Sequence, residues 1–206
     1  MTDLSSARLY LVATHRLTTG LLHEIVPELV DAGVDLIQLR EKDMEAADVI
    51  RVGEPIAAAC REAGVPFIVN DRADVAMALA ADGVHVGQND LPVAAARELM
   101  GDRIVGWSTH ALEEVDAAAA RDIDYFAVGP VAETPTKPGR PAAGLELIRH
   151  AARVATRPWF AIGGIDKELL PSVLDAGATR IVVVRAITEA PDPPAAARRL
   201  KEQLGP

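Results

Sequence analysis

Residues 66–90 read PFIVNDRADVAMALAADGVHVGQND. An apolar run opens this stretch and ends at Asn70 and Asp71, an alanine-rich segment with helical spacing follows, and a second apolar run from Gly83 ends in polar residues at Gln88. Short apolar runs bounded by turn residues predict buried strands, whereas the longer periodic segment predicts a helix. The stretch therefore predicts a strand, a helix and a second strand in succession.

The same unit occurs eight times along the chain. Strands that are apolar on both faces belong in a parallel sheet covered by helices, because a parallel pair needs a crossover connection. Eight units predict the α/β class and a (β/α)₈ TIM barrel, with residues 1–206 forming a single barrel domain. A doubly wound open sheet is the alternative. The predicted strands are LYLVAT from Leu9, DLIQLRE from Asp35, PFIVND from Pro66, GVHVGQ from Gly83, RIVGWST from Arg103, YFAVGPV from Tyr125, PWFAIGG from Pro158 and RIVVVRA from Arg180.

Composition excludes several classes of function. The formal net charge of −9 argues against a nucleic-acid partner, because nucleic acids are bound through clustered Lys and Arg. The first residues do not resemble a signal peptide and the apolar runs are too short to span a membrane, so we expect a cytoplasmic protein with no membrane partner. The single cysteine, Cys60, is expected to be a buried, inert thiol. The sequence does not decide whether the barrel forms a homo-oligomer.

In a barrel of this kind the active site is built from residues at the carboxyl ends of the strands and from the loops after them. Nearly every predicted strand ends in polar residues or glycine. These residues are Gln38, Arg40, Lys42, Asn70, Asp71, Gln88, Asn89, Asp90, Ser108, Thr109, His110, Thr134, Thr136, Lys137, Gly163, Gly164 and Arg185.

Two aspartates are candidates for a metal site. Asp71 and Asp90 follow the third and fourth predicted strands, which are neighbours in a barrel, so their carboxylates could meet at one ion. Mg²⁺ fits best, since it binds one or two carboxylates and completes its octahedron with water and phosphate oxygens. The alternative is that each aspartate caps the helix after it.

Positive charge lies at the same predicted rim, at Arg40, Lys42 and Lys137. A diphosphate matches this mixture, because Arg grips phosphate with two hydrogen bonds while Lys acts as a mobile point charge. The alternative is that these cations form salt bridges with neighbouring acids, namely Glu41, Asp43 and Asp71.

The sequence AIGGI at 161–165 predicts a second anion site. Its two glycines follow the seventh strand, and in these barrels the loops after strands seven and eight often bind phosphate together with a helix N-terminus. The alternative is that Gly163 and Gly164 only allow close packing. His110 could act as a general base, but no carboxylate is visibly placed to orient it, and His85 either shapes the floor of the site or fills the core.

At these residues the chain resembles the thiamine phosphate synthase family over nearly its whole length. The resemblance rests on six motifs in order and in register: QLREK at 38–42, ND at 70–71, DGVHVGQND at 82–90, GWSTH at 106–110, DYFAVGPVAETPTK at 124–137 and AIGGI at 161–165. The family joins 4-amino-2-methyl-5-hydroxymethylpyrimidine diphosphate to a thiazole phosphate, or to its carboxylated form, and releases diphosphate.

The resemblance implies residue roles in this chain. Gln38, Leu39, Arg40, Glu41, Lys42, Asn70, Ser108 and Lys137 would bind the pyrimidine diphosphate. Thr134, Pro135, Thr136, Gly164, Val184 and Arg185 would bind the thiazole phosphate. Asp71 and Asp90 would hold Mg²⁺, one ion per subunit, and the catalytic residues would be Lys137, Ser108 and Arg40.

The resemblance also implies a dissociative reaction. Diphosphate leaves first, and the resulting pyrimidine-methyl cation, stabilised by the ring amino group, is captured by the thiazole nitrogen. Such a step needs no protein nucleophile, only stabilisation of the departing charge and alignment of the second substrate. We further expect the proline- and glycine-rich loop 132–144 beside Lys137 to close over the site.

Two departures and two rival functions accompany the resemblance. Arg185 stands where many family members have serine, and Ala132 with Glu133 replaces a bulkier pair.

The sister family of thiazole tautomerases shares the fold but has no chemical reason to keep Asp71, Asp90 and the three cations together. A noncatalytic sensor of thiamine-related phosphates would be expected to carry an appended interaction module.

Overall fold

The computed structural model describes residues 4–133 and 142–205, and its centre is a closed barrel of eight parallel strands. Each predicted strand is found within a few residues of its expected start. The strands are β1 Leu9–Ala13, β2 Leu36–Leu39, β3 Phe67–Asn70, β4 Gly83–Val86, β5 Ile104–Thr109, β6 Tyr125–Val128, β7 Trp159–Ile162 and β8 Ile181–Val183.

The sheet closes because the first and last strands pair. β1 lies parallel to β8, with Leu9 beside Ile181, and every other strand pairs with its neighbours in the chain. This closure confirms the TIM barrel and rules out the open doubly wound sheet.

Helices follow the strands and cover the outside of the barrel. Within the described residues they are α1 Val26–Asp31, α2 Ala46–Ala63, α3 Ala73–Ala78, α4 Val93–Met100, α5 Leu112–Ala117, α6 Gly144–Val154, α7 Leu170–Asp175, α8 Arg185–Thr188 and α9 Pro193–Leu204. A two-stranded hairpin, Arg16–Leu17 with Gly20–Leu21, follows β1. None of the helices described here is long and apolar enough to cross a membrane.

The end of α2 shows how the repeated AGV motif works. Gly64 adopts the left-handed conformation at φ 71°, and the amide of Val65 donates to the carbonyl oxygen of Cys60 at 3.0 Å, which closes the last turn. Cys60 itself is buried, and this burial raises the pKa of its thiol to about 12. The thiol is therefore protonated and inert, as its place in the helical pattern predicts.

The barrel interior has its own small core. Three aromatic rings, Tyr10, Tyr125 and Phe160, pack edge to face at centroid distances of 5.5–5.8 Å. Gly106 lies opposite Tyr125 in the strand register, and a Cβ there would meet the Tyr125 ring at 2.2–2.5 Å. The tyrosine therefore fills the volume that the glycine leaves open. Isoleucine and leucine side chains occupy the amino-terminal half of the interior.

A repeated aspartate fastens the amino-terminal end of the barrel. Asp35, Asp82 and Asp124 each precede an even-numbered strand, and each accepts a hydrogen bond at 2.7–2.8 Å from a backbone amide at the start of the preceding odd-numbered strand. These carboxylates satisfy backbone amides at the amino-terminal end of the barrel. We therefore assign them a role in stability, and not in the site at the other end of the barrel.

Candidate functional site

A cavity of about 300 Å³ opens at the carboxyl ends of the strands. It is lined by side chains that point into the barrel and by the turns that follow β6, β7 and β8. The lining residues are Tyr10, Val12, Gln38, Arg40, Asn70, His85, Ser108, His110, Ala127, Gly129, Pro130, Ile162, Gly163, Gly164, Ile165, Asp166, Val182, Val183, Val184, Arg185 and Ala186.

The floor of the cavity is a connected chain of buried polar groups. The side-chain amide of Gln38 donates to the Tyr10 hydroxyl, which lies 2.8 Å from the Tyr125 hydroxyl. Tyr125 in turn lies 3.0 Å from Nδ1 of His85, and Nε2 of His85 lies 2.9 Å from Oγ of Ser108. Burial is the main cause that raises the pKa values of both tyrosines, so their hydroxyls stay protonated.

Two guanidinium groups border the cavity without a carboxylate partner in the described part of the chain. Arg40 follows β2, and its backbone amide donates to the carbonyl oxygen of Ala13 at 2.8 Å, which leaves its side chain directed to the cavity. Arg185 begins α8 directly after β8 and is exposed. Both guanidiniums are therefore available to bind an anion.

Asp71 and Asp90 come together at the rim. Burial, together with the hydrogen-bonding and charge interactions with Asp90, raises the pKa of the Asp71 carboxyl, and Lys42 opposes this rise. Nζ of Lys42 lies 2.5 Å from Oδ2 of Asp71, and Asp90 accepts a bond from the Gly87 amide at 2.8 Å. The N-cap residues of α3 and α4 are Arg72 and Pro92, so neither aspartate occupies the capping position. The capping alternative is therefore wrong for these helices, whereas the alternative salt bridge of Lys42 with Asp71 is present.

The double glycine after β7 packs closely against the segment after β6. Gly163 has φ 107° and Gly164 has φ 69°, and a Cβ on Gly163 would lie 2.5 Å from Pro130. The amides of Val131 and Ala132 donate to the carbonyls of Ile162 and Gly163 at 2.9 and 3.0 Å. The close-packing interpretation is therefore realised, and it brings the backbone of both turns to the edge of the cavity.

Other sequence candidates have structural partners of their own. Glu41 accepts bonds from the backbone and Nδ1 of His15, at 2.6 and 2.8 Å, so its carboxylate fixes the turn after β1. His110 is held by a 2.6 Å bond between its Nδ1 and the carbonyl oxygen of Gly129. Leu39 points away from the barrel axis into the strand–helix layer near Gly53, which leaves only its backbone for a ligand.

The structure thus brings together Gln38, Arg40, Asn70, Ser108, Gly164, Val184 and Arg185 around one cavity. Lys42, Asp71 and Asp90 lie beside this group at the rim. Four predicted residues, Thr134, Pro135, Thr136 and Lys137, lie outside the described residues, as does most of the 132–144 loop.

Sequence reasoning missed the two tyrosines. Tyr10 and Tyr125 lie inside apolar strands, where an aromatic residue is ordinarily part of the core. A signal was present: the alternation of β5 places Gly106 on the same face as Ser108, and a glycine facing a barrel interior indicates that a large neighbour fills its place.

Within the described residues no group of three His, Cys, Asp or Glu side chains forms a metal cluster.

Comparison with known proteins gives a consistent result. The sequence profile described as thiamine monophosphate synthase matches residues 9–187. The chain is 54% identical to the thiamine-phosphate synthase of Mycolicibacterium vanbaalenii (98% of this chain, 96% of the relative) and 52% identical to that of Acidothermus cellulolyticus (98% and 97%). Its fold is similar to that of thiamine phosphate pyrophosphorylase from Pyrococcus furiosus, with a TM-score of 0.86 and 33% identity over 96% of this chain and 95% of that one.

Proposed function

The chain belongs to the thiamine monophosphate synthase family, and we propose that the cavity at the carboxyl end of its barrel is where the family's reaction takes place. Its activity is that of a thiamine-phosphate synthase, a transferase of thiamine biosynthesis. The transfer joins 4-amino-2-methyl-5-hydroxymethylpyrimidine diphosphate to 4-methyl-5-(2-hydroxyethyl)thiazole phosphate, or to its carboxylated form. Because this activity is a transfer between two substrates, we do not propose the alternative function, that of a thiazole tautomerase.

One observation carries the proposal: two sets of anion-binding groups face one cavity from different arcs of the barrel. Gln38 lies on β2 and Arg40 follows it, Asn70 ends β3 and Ser108 lies on β5, whereas Gly164 and Arg185 follow β7 and β8. Two phosphorylated substrates that must meet need two such sets with a shared space between them.

The first arc fits the pyrimidine diphosphate. The Arg40 guanidinium can hold diphosphate oxygens through paired hydrogen bonds, while the Ser108 hydroxyl and the Asn70 amide donate further bonds. The second arc fits the thiazole phosphate, since Arg185 replaces a neutral donor with a charged one. Roles for Lys137 and for 134–136 rest on the family resemblance alone.

The rim fits Mg²⁺. Asp90 raises the proton affinity of the neighbouring Asp71 carboxylate, and a divalent cation between the two would offset this repulsion while leaving most of its coordination to water and phosphate oxygens. Asp71 and Asp90 would hold one ion per subunit, and when bound the ion would neutralise charge on the diphosphate. Lys42 would then be released from Asp71 to face the diphosphate.

The residues of the chain act by binding and alignment. The bond between the pyrimidine methylene carbon and the diphosphate oxygen breaks, both electrons leave with the diphosphate, and Arg40, Ser108 and Lys137 stabilise that charge. The thiazole nitrogen then donates its electron pair to the methylene carbon and forms the new C–N bond. Apolar walls such as Val12 and Ile162 limit the entry of water, which would otherwise compete with the thiazole nitrogen for the pyrimidine-methyl cation. No acid, base or nucleophile of the chain is consumed.

The remaining proposals concern the location of the protein, its partners, its domain organisation and its loop 132–144. We place the reaction in the cytoplasm and expect the small-molecule substrates, and neither nucleic acid nor membrane, to be its partners. That residues 1–206 form one domain stays a prediction, as does closure of the 132–144 loop.

The experiment is an assay of purified protein with both substrates and Mg²⁺, in which thiamine phosphate is the detected product. We expect product with Mg²⁺, none with a chelator and strong loss in Asp90→Asn. Asp43→Asn is the matched control, because it removes the same charge from an exposed position near the rim. Binding of Mn²⁺, followed by its paramagnetic signal, should weaken in Asp90→Asn and not in Asp43→Asn. Equal Mn²⁺ binding in all three proteins would refute the metal site even if the synthase activity were present.

A further inference from the structure

The buried polar groups under the cavity form a hydrogen-bonded row of five side chains, Gln38, Tyr10, Tyr125, His85 and Ser108. Counting donors and acceptors along this row determines which way each hydrogen bond points. Each tyrosine hydroxyl has one proton to donate, and a neutral imidazole donates from one nitrogen and accepts at the other. A row of such groups therefore has only two consistent orders of donors, and fixing one end fixes the rest.

The two ends of the row agree on one order. At one end the carboxamide nitrogen of Gln38 can only donate, so Tyr10 accepts from it and passes its own proton toward Tyr125. At the other end Ser108 borders a cavity built for anions, and a hydroxyl that contacts an anion must donate to it. Ser108 must then accept from Nε2 of His85, 2.9 Å away.

We propose that Tyr125 is a positioning residue: its hydroxyl donates to Nδ1 of His85, holds that ring as the Nε2–H tautomer and so turns the proton of Ser108 toward the diphosphate. The distances along the row support this order, at 3.0 Å from Tyr125 to His85 and 2.8 Å between the two tyrosines. Tyr125 needs no contact with the substrate to act in this way. The opposite order would make His85 a base for Ser108, and the serine would then meet an anionic ligand with its lone pairs.

The burial of the row explains why this order should persist. Gln38, His85 and Ser108 are 3, 8 and 6% exposed, and the tyrosines are covered, so water does not readily replace a missing partner. Removing one hydroxyl in the middle therefore disconnects the two ends. Tyr125→Phe removes this hydroxyl with almost no change in shape, and the phenylalanine ring still fits in the space beside Gly106.

The tautomer can be measured directly by ¹⁵N NMR of the imidazole nitrogens in the ligand-free protein. The chain has five histidines, and a His85→Gln variant assigns the signals of interest. We expect His85 of the wild-type protein to be the Nε2–H tautomer, and we expect Tyr125→Phe to give a mixture of tautomers. Tyr10→Phe should keep the wild-type tautomer, because it removes one neighbour of the buried Tyr125 hydroxyl and leaves Nδ1 of His85 as the acceptor for its proton in the row.

Thr109→Val is the control for general loss of a buried hydroxyl. Thr109 neighbours Ser108 on β5, is fully buried and donates to the carbonyl oxygen of Ala127 at 3.0 Å, outside the row. Its substitution should lower the midpoint of thermal unfolding but leave the His85 signals unchanged. A Tyr125→Phe spectrum that matches the wild type, or a wild-type His85 protonated at Nδ1, would overturn the proposal.

The kinetic consequence rests on the proposed roles of Ser108 and Gln38, and the ligand-free NMR measurement does not. In Tyr125→Phe we expect kcat/KM for the pyrimidine diphosphate to fall about tenfold, as loss of one oriented hydrogen bond implies. The KM for the thiazole phosphate should stay within about twofold, since that substrate is held from the other arc. An Nε2–H tautomer with unchanged kinetics would reject the positioning role while leaving the site assignment intact.

Discussion

Nε2 of His85 lies 2.9 Å from Oγ of Ser108, at the floor of the cavity. A serine and a histidine at this distance are ordinarily taken as a nucleophile and its base. Here the third member of the row is the neutral hydroxyl of Tyr125 and not the carboxylate that stabilises the imidazolium in a catalytic triad. The pair is better suited to orienting a hydroxyl toward an anion, which is what departure of a diphosphate requires.

Arg185 should set the affinity for the thiazole phosphate. Replacement by serine, the residue common in the family, exchanges a charged hydrogen bond for a neutral one, so we expect KM for that substrate to rise about tenfold. The KM for the pyrimidine diphosphate should not change. Initial-rate measurements with each substrate varied in turn decide this. Arg199→Ser, which removes an exposed arginine from α9, is the matched control. An unchanged thiazole KM would remove Arg185 from the site.

Asp71 should destabilise the metal-free fold near neutral pH. Burial and Asp90 raise the pKa of its carboxyl, so the unfolded chain ionises this group at a lower pH than the folded protein does. Stability is therefore lost as the pH rises from the usual aspartate range through the raised pKa. Asn replaces Asp at this left-handed position, φ 64°, with little backbone cost.

Asp71→Asn should accordingly unfold at a higher temperature than the wild type in chelator at neutral pH. The advantage should shrink as the pH falls toward the usual aspartate range, and saturating Mg²⁺ should reverse it by stabilising only the wild type. Calorimetry across this pH range provides the measurement. A variant less stable than the wild type in chelator at neutral pH would show that the Lys42 ion pair outweighs burial and the Asp90 charge.

Gly106 should tolerate no side chain. The Cβ of an alanine would lie 2.2–2.5 Å from the Tyr125 ring, so the ring or the strand must move, and we expect a loss of about 1–3 kcal/mol in unfolding free energy. Urea titration measures the loss. Gly64→Ala is a useful comparison, because nothing lies within 4 Å of a Cβ there and only its left-handed backbone is strained, by about 1–2 kcal/mol. A Gly106→Ala variant as stable as the wild type would mean that Tyr125 is free to move.

The amino-terminal aspartates should affect stability without affecting catalysis. Asp35 accepts bonds from the amides of Arg8 and Leu9 and from Lys201, whereas Asp82 accepts a bond from the Phe67 amide. We expect Asp35→Ala to cost more than Asp82→Ala, with each amide left without its carboxylate contributing about 1–3 kcal/mol. Both variants should keep the wild-type KM values for both substrates. Equal losses of unfolding free energy, or a raised KM, would contradict this division between the two ends of the barrel.

The sequence by itself determined the repeat and therefore the fold. Strand runs such as FIVN and GVHV are short, apolar and regularly spaced, and eight of them with crossover helices favour a closed barrel, in which no edge strand is left unpaired. Because such a barrel builds its site at one end, the sequence alone assigns the polar strand ends at Arg40, Asn70 and Ser108 to a common cavity.

The tertiary structure alone decided which of these groups are paired. Lys42 is bonded to Asp71 and Glu41 to His15, whereas Arg40 and Arg185 have no carboxylate partner in the described part of the chain. It also showed that Tyr10 and Tyr125 join Gln38 to Ser108. Such contacts depend on register and ring packing across several strands, and local sequence does not encode them, because residues far apart in the chain become neighbours only when the barrel closes.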